Sequence, residues 1–338
     1  MRNKGVISFS RALESAWQRV EIILFRPFDA WKWFVIGFNA FLALLAEGGI
    51  AINDPISFNN QTQTYNYQTL PALLHALKQS ISWLQSFAVS PWLMLYVVGA
   101  FIYLIVWLVL TWVGSRGEFL LLDNIVRNRP AVSWPWHRYA RQGNVWFLFH
   151  LGLTLLSVIF FLSSVGAFLA LNWSWIQAER NPYGSEVAVL ACLLLAIFFL
   201  WTVYAVVMFL IQSLVLPLYF KQSMSLGAAL LAVCRLIVAH PISLVVYLLA
   251  SFVLAFVGGI LTIVVLCLAC CLICWLACVP FIGSMLLTFV LCQLILPILI
   301  FYRCFQLDCL AQFGPEYDVW TVDVPPTNPG ISPQLPPG

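Results

Sequence analysis

Apolar positions in this chain run in long unbroken stretches, and polar positions are confined to the gaps between them. Residues 91–114, 146–172 and 187–217 are each continuously apolar over more than the roughly 20 residues that a helix needs to cross a hydrocarbon core. The stretch 241–302 is almost unbroken and too long for one crossing. A poorer first stretch, 33–52, contains Asn39 and Glu47. In lipid the backbone must be satisfied within helices or a closed barrel. Barrel strands would alternate apolar and polar residues, and these stretches do not. The pattern therefore predicts an all-α fold, a polytopic helical membrane protein of about six transmembrane helices near 33–52, 91–114, 146–172, 187–217, 242–267 and 281–302. Three shorter crossings of 241–302, broken at Gly258, Gly259 and Pro280, are an open alternative.

Shorter segments show helical periodicity instead. In 8–25, Phe9, Leu13, Ala16, Trp17, Val20 and Leu24 share one face and Arg11, Glu14, Ser15, Gln18 and Arg19 the other. Such a helix lies in the headgroup plane or packs on the spans, and the sequence leaves both readings open. Similar amphipathic interfacial helices are expected at 71–87 and 225–239, the latter closed by Pro241. The order suggests three units of amphipathic segment, span, span, starting near residues 8, 118 and 222. Residues 1–320 read as a single helical membrane domain. Beyond them, 321–338 is proline-rich and reads as a disordered tail.

Composition agrees with this picture. The 338 residues are 62% hydrophobic and 9% charged, against about a quarter charged in soluble domains. The net charge of +3 is unevenly placed. Lys78 and Arg180 excepted, every Lys and Arg falls in the N-terminal segment, in the gaps after 91–114 and 187–217, or beyond the last span. This positive-inside asymmetry places both termini in the cytoplasm. Charge interrupts residues 1–26, so no cleavable signal peptide is expected. No basic domain outside the membrane segments invites nucleic acid.

Three groups of residues carry candidate chemistry. The gap 115–145 interleaves Arg127, Arg129, Arg138 and Arg141 with Trp134 and Trp136. Guanidinium groups grip phosphate and indoles sit at headgroup level, so contact with anionic lipid heads is one reading. The other is that the arginines set orientation and pair with Glu118 and Asp123. Asn39, Glu47 and Gln212 are polar positions within spans, which mark either a solute path or hydrogen bonds between helices. Cys267, Cys270, Cys271, Cys274 and Cys278 fall within an arc of roughly 100° on a helix. Their apolar neighbours favour small-residue packing over metal or redox chemistry. No catalytic motif is present, so the expectation is a non-enzymatic protein without a cofactor. Membrane lipids are its expected partners, with protein partners or a homo-oligomer also possible.

Three stretches add a resemblance. ILFRPFDAWKWF at 23–34, SRGEFLLLDNIVRNRP at 115–130 and AQFGPEYDVW at 311–320 together resemble an uncharacterised group of bacterial multi-spanning membrane proteins. That group in turn is distantly similar to the membrane domain associated with glycerophosphodiester phosphodiesterases. The resemblance implies a multi-pass protein of the bacterial inner membrane. It implies no phosphodiesterase activity, because the soluble catalytic domain of those enzymes has no counterpart in this sequence. Envelope organisation or lipid interaction is the expected role. The alternatives are a small-solute or ion permease, and an intramembrane enzyme or metal-binding protein.

Overall fold

The computed structural model describes residues 8–46, 93–177, 185–221, 225–268 and 282–321, and within them every named element is helical. The helices are α1 (Phe9–Leu24), α2 (Ala30–Ala46), α3 (Leu93–Arg127), α4 (Ser133–Arg138), α5 (Ala140–Gln177), α6 (Ser185–Leu210), α7 (Leu216–Lys221), α8 (Leu226–Ala239), α9 (Pro241–Leu268), α10 (Ile282–Leu294) and α11 (Leu296–Ala311). A π-turn, Ile211–Val215, joins α6 to α7. A 3₁₀ turn, Val319–Thr321, follows α11.

The buried core gathers at one end of the bundle. Its residues come from α1, α2, the C-terminal part of α3, the first turns of α5, the π-turn and α7, α8, the first turns of α9 and α11, and include Phe119, Trp146, Phe220, Tyr247 and Phe305. Long apolar helices extend from this knot. In α3, α5, α6 and α9 the most apolar stretch is only 6–11% buried, and large side chains such as Phe198 (71% exposed) and Phe252 (70%) face outward. Water would not tolerate so much contiguous apolar surface; a hydrocarbon environment does.

Helix α1 packs on the bundle with part of its apolar face and leaves the rest exposed. Ala12, Ala16, Val20 and Leu24 are buried where α1 packs along α11. Leu13 and Trp17, on the same broad apolar face, stay exposed at 39% and 64%, with the Trp17 ring edge-on to Phe301. Around the turn at Arg26-Pro27, Phe25, Phe28, Trp31 and Phe34 continue an exposed aromatic strip into α2.

α2 and α3 form the most extensive helix pair. They approach closely because α3 presents Gly117 to the α2 backbone. A Cβ placed there would stand 2.6 Å from the Leu42 carbonyl carbon and the Ala43 nitrogen. Small residues permit such backbone contact between membrane helices.

Of the six expected spans, the described residues show four candidates, or five if one bent pair counts as a span. Four helices have the length and composition to cross: Val97–Arg127, Ala140–Phe168, Val187–Lys221 and Pro241–Leu268. A fifth candidate is the pair Leu286–Leu294 and Leu296–Ala311, bent by 64°. The expected straight span at 281–302 is thus broken at Ile295, because Pro297 sits in the first turn of α11 and cannot continue a helix from the preceding turn. The described part of the expected span 33–52 is α2, a shorter apolar helix. α9 runs unbroken through Gly258 and Gly259, so those glycines do not divide it. The expected unit start at residue 118 falls inside α3, which continues past the apolar stretch to Arg127. The helix expected at 225–239 is α8, with Ser225 as N-cap accepting from the Ala228 N–H at 3.2 Å. The expected helix at 71–87 and the tail from 322 onward lie outside the described residues.

Candidate functional site

The C-terminal end of α3 delivers Asp123 into the core, fully buried. A buried carboxylate must be paired and hydrogen-bonded, and the local sequence supplies the partners. Arg127, one turn on, places Nε 2.9 Å from Oδ1. Arg129 places Nη2 3.1 Å from Oδ2. The Tyr139 hydroxyl donates to Oδ1 at 3.0 Å. Burial, reinforced by the Asp123 charge, pushes the Tyr139 phenol up to about 12, so it remains a donor at neutral pH.

The loop between α3 and α4 is stapled in place. Asn128 adopts φ 50°, a left-handed conformation that asparagine tolerates better than most residues. Its carboxamide oxygen accepts from Lys32 Nζ at 2.7 Å. Asn39 Nδ2 donates to the Ala131 carbonyl at 3.2 Å, and the Ala131 N–H donates to Asn124 at 3.2 Å. These bonds fix α4, which carries Trp134. Three guanidinium groups gather on that indole, with Cζ atoms of Arg127, Arg129 and Arg138 at 5.2, 4.1 and 5.1 Å from the ring centroid. Trp134 is 40% exposed and the Arg129 side chain 37%. The result is a plate of cations whose outward side is Arg129 and Arg138, with the Arg127 side chain, 9% exposed, beneath and Asp123 countering Arg127 and Arg129.

Trp136 belongs to a neighbouring group. Arg116 lies over Trp112 and Trp136 at 4.3 and 4.9 Å and donates to Asn144 Oδ1 at 2.9 Å. Arg141 is exposed on the first turn of α5, near Tyr219. The expected loop cluster therefore resolves into two aromatic plates with Arg141 beside them.

A second acid–arginine–tryptophan set, not anticipated from sequence, lies at the end of α11. Asp308 is buried and accepts from Ser15 Oγ at 2.7 Å and pairs with Arg19 Nε at 3.2 Å. Arg19 lies over Trp320, 3.6 Å from its centroid. Gln312 and the Ser8 backbone bond reciprocally, and Lys221 donates to the Pro315 and Glu316 carbonyls. A faint signal existed. Asp123 and Asp308 are each followed by proline seven residues later, with Trp134 and Trp320 shortly beyond. Asp308→Ala should loosen α1, leaving Arg19 without its carboxylate. Amide exchange across 9–24 should quicken by about tenfold or more, given roughly 1.5–3 kcal/mol for a hydrogen bond to a charged group. Unchanged protection would show that apolar packing alone holds α1.

Gln212 has a different setting. It lies on the π-turn and, with Ser213, Tyr302, Arg303 and Gln306, lines a cavity of about 310 Å³ between α2, α3, α6 and α11. Asn39 does not line it; it fastens the α3–α4 loop instead. Glu47, Cys270, Cys271, Cys274 and Cys278 lie outside the described residues, and Cys267 is exposed near the end of α9. Among the described residues no three His, Cys, Asp or Glu side chains are grouped to hold a metal.

Comparison with known proteins gives one match. Residues 8–320 match the model of a family described as a family of unknown function, DUF7544. No curated protein and no solved structure matches.

Proposed function

We propose that this chain, which belongs to the family of unknown function DUF7544, is a non-enzymatic membrane protein that holds anionic lipid headgroups on its Trp134 plate. Its several long apolar helices make it a multi-pass membrane protein. The observation that carries the lipid reading is the gathering of Arg127, Arg129 and Arg138 on one exposed indole beside the emerging span α5. A guanidinium spread over an aromatic face keeps its N–H edges available for phosphate oxygens. The exposed strip of Trp17, Phe25, Phe28 and Trp31 suits the same headgroup depth. With the cation-rich gaps inside, the plate faces the anionic cytoplasmic leaflet of a bacterial inner membrane, and both termini are cytoplasmic. The role is envelope organisation through lipid contact.

Native mass spectrometry of the full chain from phosphatidylglycerol nanodiscs tests this. Arg138→Gln leaves the Asp123 ion pairs intact, and Arg129→Gln with Arg138→Gln removes two cations. At about 1 kcal/mol per basic residue near an anionic surface, the single variant should lower retention of phosphatidylglycerol about fivefold and the double variant more than tenfold. Equal retention by wild type and double variant would sink the lipid reading.

A permease is the second reading, favoured by a cavity that reaches the polar side chains of Gln212, Arg303 and Gln306. It predicts solute flux in vesicles that is insensitive to Arg138→Gln.

A further inference from the structure

The Trp134 plate leaves the cavity among α2, α3, α6 and α11 without a role. Its walls are apolar on the side of Ala40, Ala43, Leu121 and Phe209 and polar on the side of Gln212, Ser213, Tyr302, Arg303 and Gln306. Among the described lining residues Arg303 is the one charged side chain, and none is acidic. Arg303 Nη1 donates to Gln306 Oε1 at 3.4 Å, which fixes the guanidinium beside a carboxamide whose NH₂ is a further donor.

Two further features bear on the same place. Gln212 and Ser213 stand on the π-turn inserted into an otherwise continuous helix. Such turns are rare and often mark functional positions. The Ser213 side chain is buried at the cavity wall, and behind it the Tyr247 hydroxyl lies within reach of both Ser213 and Ser251. Arg303, Gln212, Gln306 and Ser213 thus bring one cation, two carboxamides and a hydroxyl to one wall of the cavity, a donor set suited to a ligand rich in acceptors.

We propose that this cavity binds the oxyanion of a phosphate ester, with Arg303 as the ionic partner, Gln212 and Gln306 as carboxamide donors and Ser213 as the hydroxyl at its base. The apolar wall takes the carbon-bearing part of the ester. Two sources share this chemistry: the phosphodiester of an anionic phospholipid and a small soluble phosphate ester. The cavity and the Trp134 plate have no residue in common, so the two proposals stand or fall separately.

Two arms distinguish the sources. Thermal unfolding of the full chain in detergent is followed with and without phenyl phosphate. Native mass spectrometry then compares phosphatidylglycerol with phosphatidylcholine nanodiscs, in the Arg129→Gln and Arg138→Gln background so that the plate contributes little. A rise in Tm with phenyl phosphate assigns a soluble ester. Selective retention of phosphatidylglycerol without such a rise assigns the lipid. In either case Gln306→Leu and Arg303→Lys should weaken binding at least fivefold, while Gly152→Ala, at an open position with nothing within 4 Å, leaves it unchanged. Gln306→Leu preserves the charge and size of the site, so it reports on the cavity even if the Arg303 variant fails to fold. Absence of binding in both arms overturns the proposal, as does wild-type binding by both cavity variants.

Discussion

Gly117→Leu should separate α2 from α3 and unfold the core end of the bundle. At this position even a Cβ meets the backbone of Leu42 and Ala43 at 2.6 Å, and backbone cannot swing aside as a side chain can. Overpacking ordinarily costs about 1–3 kcal/mol; here the helices must move apart, so the loss should reach the upper end of that range or exceed it. Gly117→Ala should show a smaller loss of the same sign. Gly152, where nothing stands within 4 Å, provides the contrast: Gly152→Ala should be neutral or slightly stabilising through helix propensity. Unfolding of the full chain by SDS titration in mixed micelles checks the series. Equal midpoints for Gly117→Leu and Gly152→Ala would show that α2 and α3 do not pack as described.

Asp123→Ala should be equally damaging, for an electrostatic reason. The carboxylate is 0% exposed and holds Arg127, Arg129 and the Tyr139 hydroxyl. The Arg127 side chain is itself only 9% exposed. Removing one partner of a buried pair strands the other and costs about 3–5 kcal/mol. The α3–α4 loop should then lose its anchor, and Trp134 with it. The same SDS titration should show the loss of stability, and Trp fluorescence should shift to the red as that indole gains water. Asp123→Asn, which keeps acceptor geometry, should lose less. Tyr139→Phe should cost about 1.5–3 kcal/mol, the worth of one hydrogen bond to a charged group. If Asp123→Ala matched wild type, the arginines would be held by the indole alone.

Some of this arrangement was legible in the residues. Asp123 and its arginines are neighbours along the chain, four and six positions apart, so their pairing needed only a helix end to bring them together. Trp134 lies close enough in sequence to follow. Arg116 and Trp136 were readable as parts of the same loop, but their separation into a second plate depends on Asn144 from α5, bonded to both Arg116 and Trp112. The pairing of Asp308 with Ser15 and Arg19 spans 293 and 289 positions. Periodicity carries no information about such distant partners, since it says which side chains share a face and nothing about what that face meets.

The residues by themselves determined that the chain is helical and membrane-spanning in type. Satisfying the backbone in a hydrocarbon medium is a local requirement, met turn by turn within each apolar stretch, and sequence length records it directly. They also determined where α8 begins and ends, after the Ser225 cap and before Pro241, because caps and prolines act within one turn. Tertiary structure decided the rest. It bent the last apolar stretch at Ile295, divided the face of α1 between protein and surroundings, and drew Gln212, Arg303 and Gln306 around one cavity. Each of these depends on which helix lies beside which, a choice made by close packing and buried charge pairs between residues far apart in the chain.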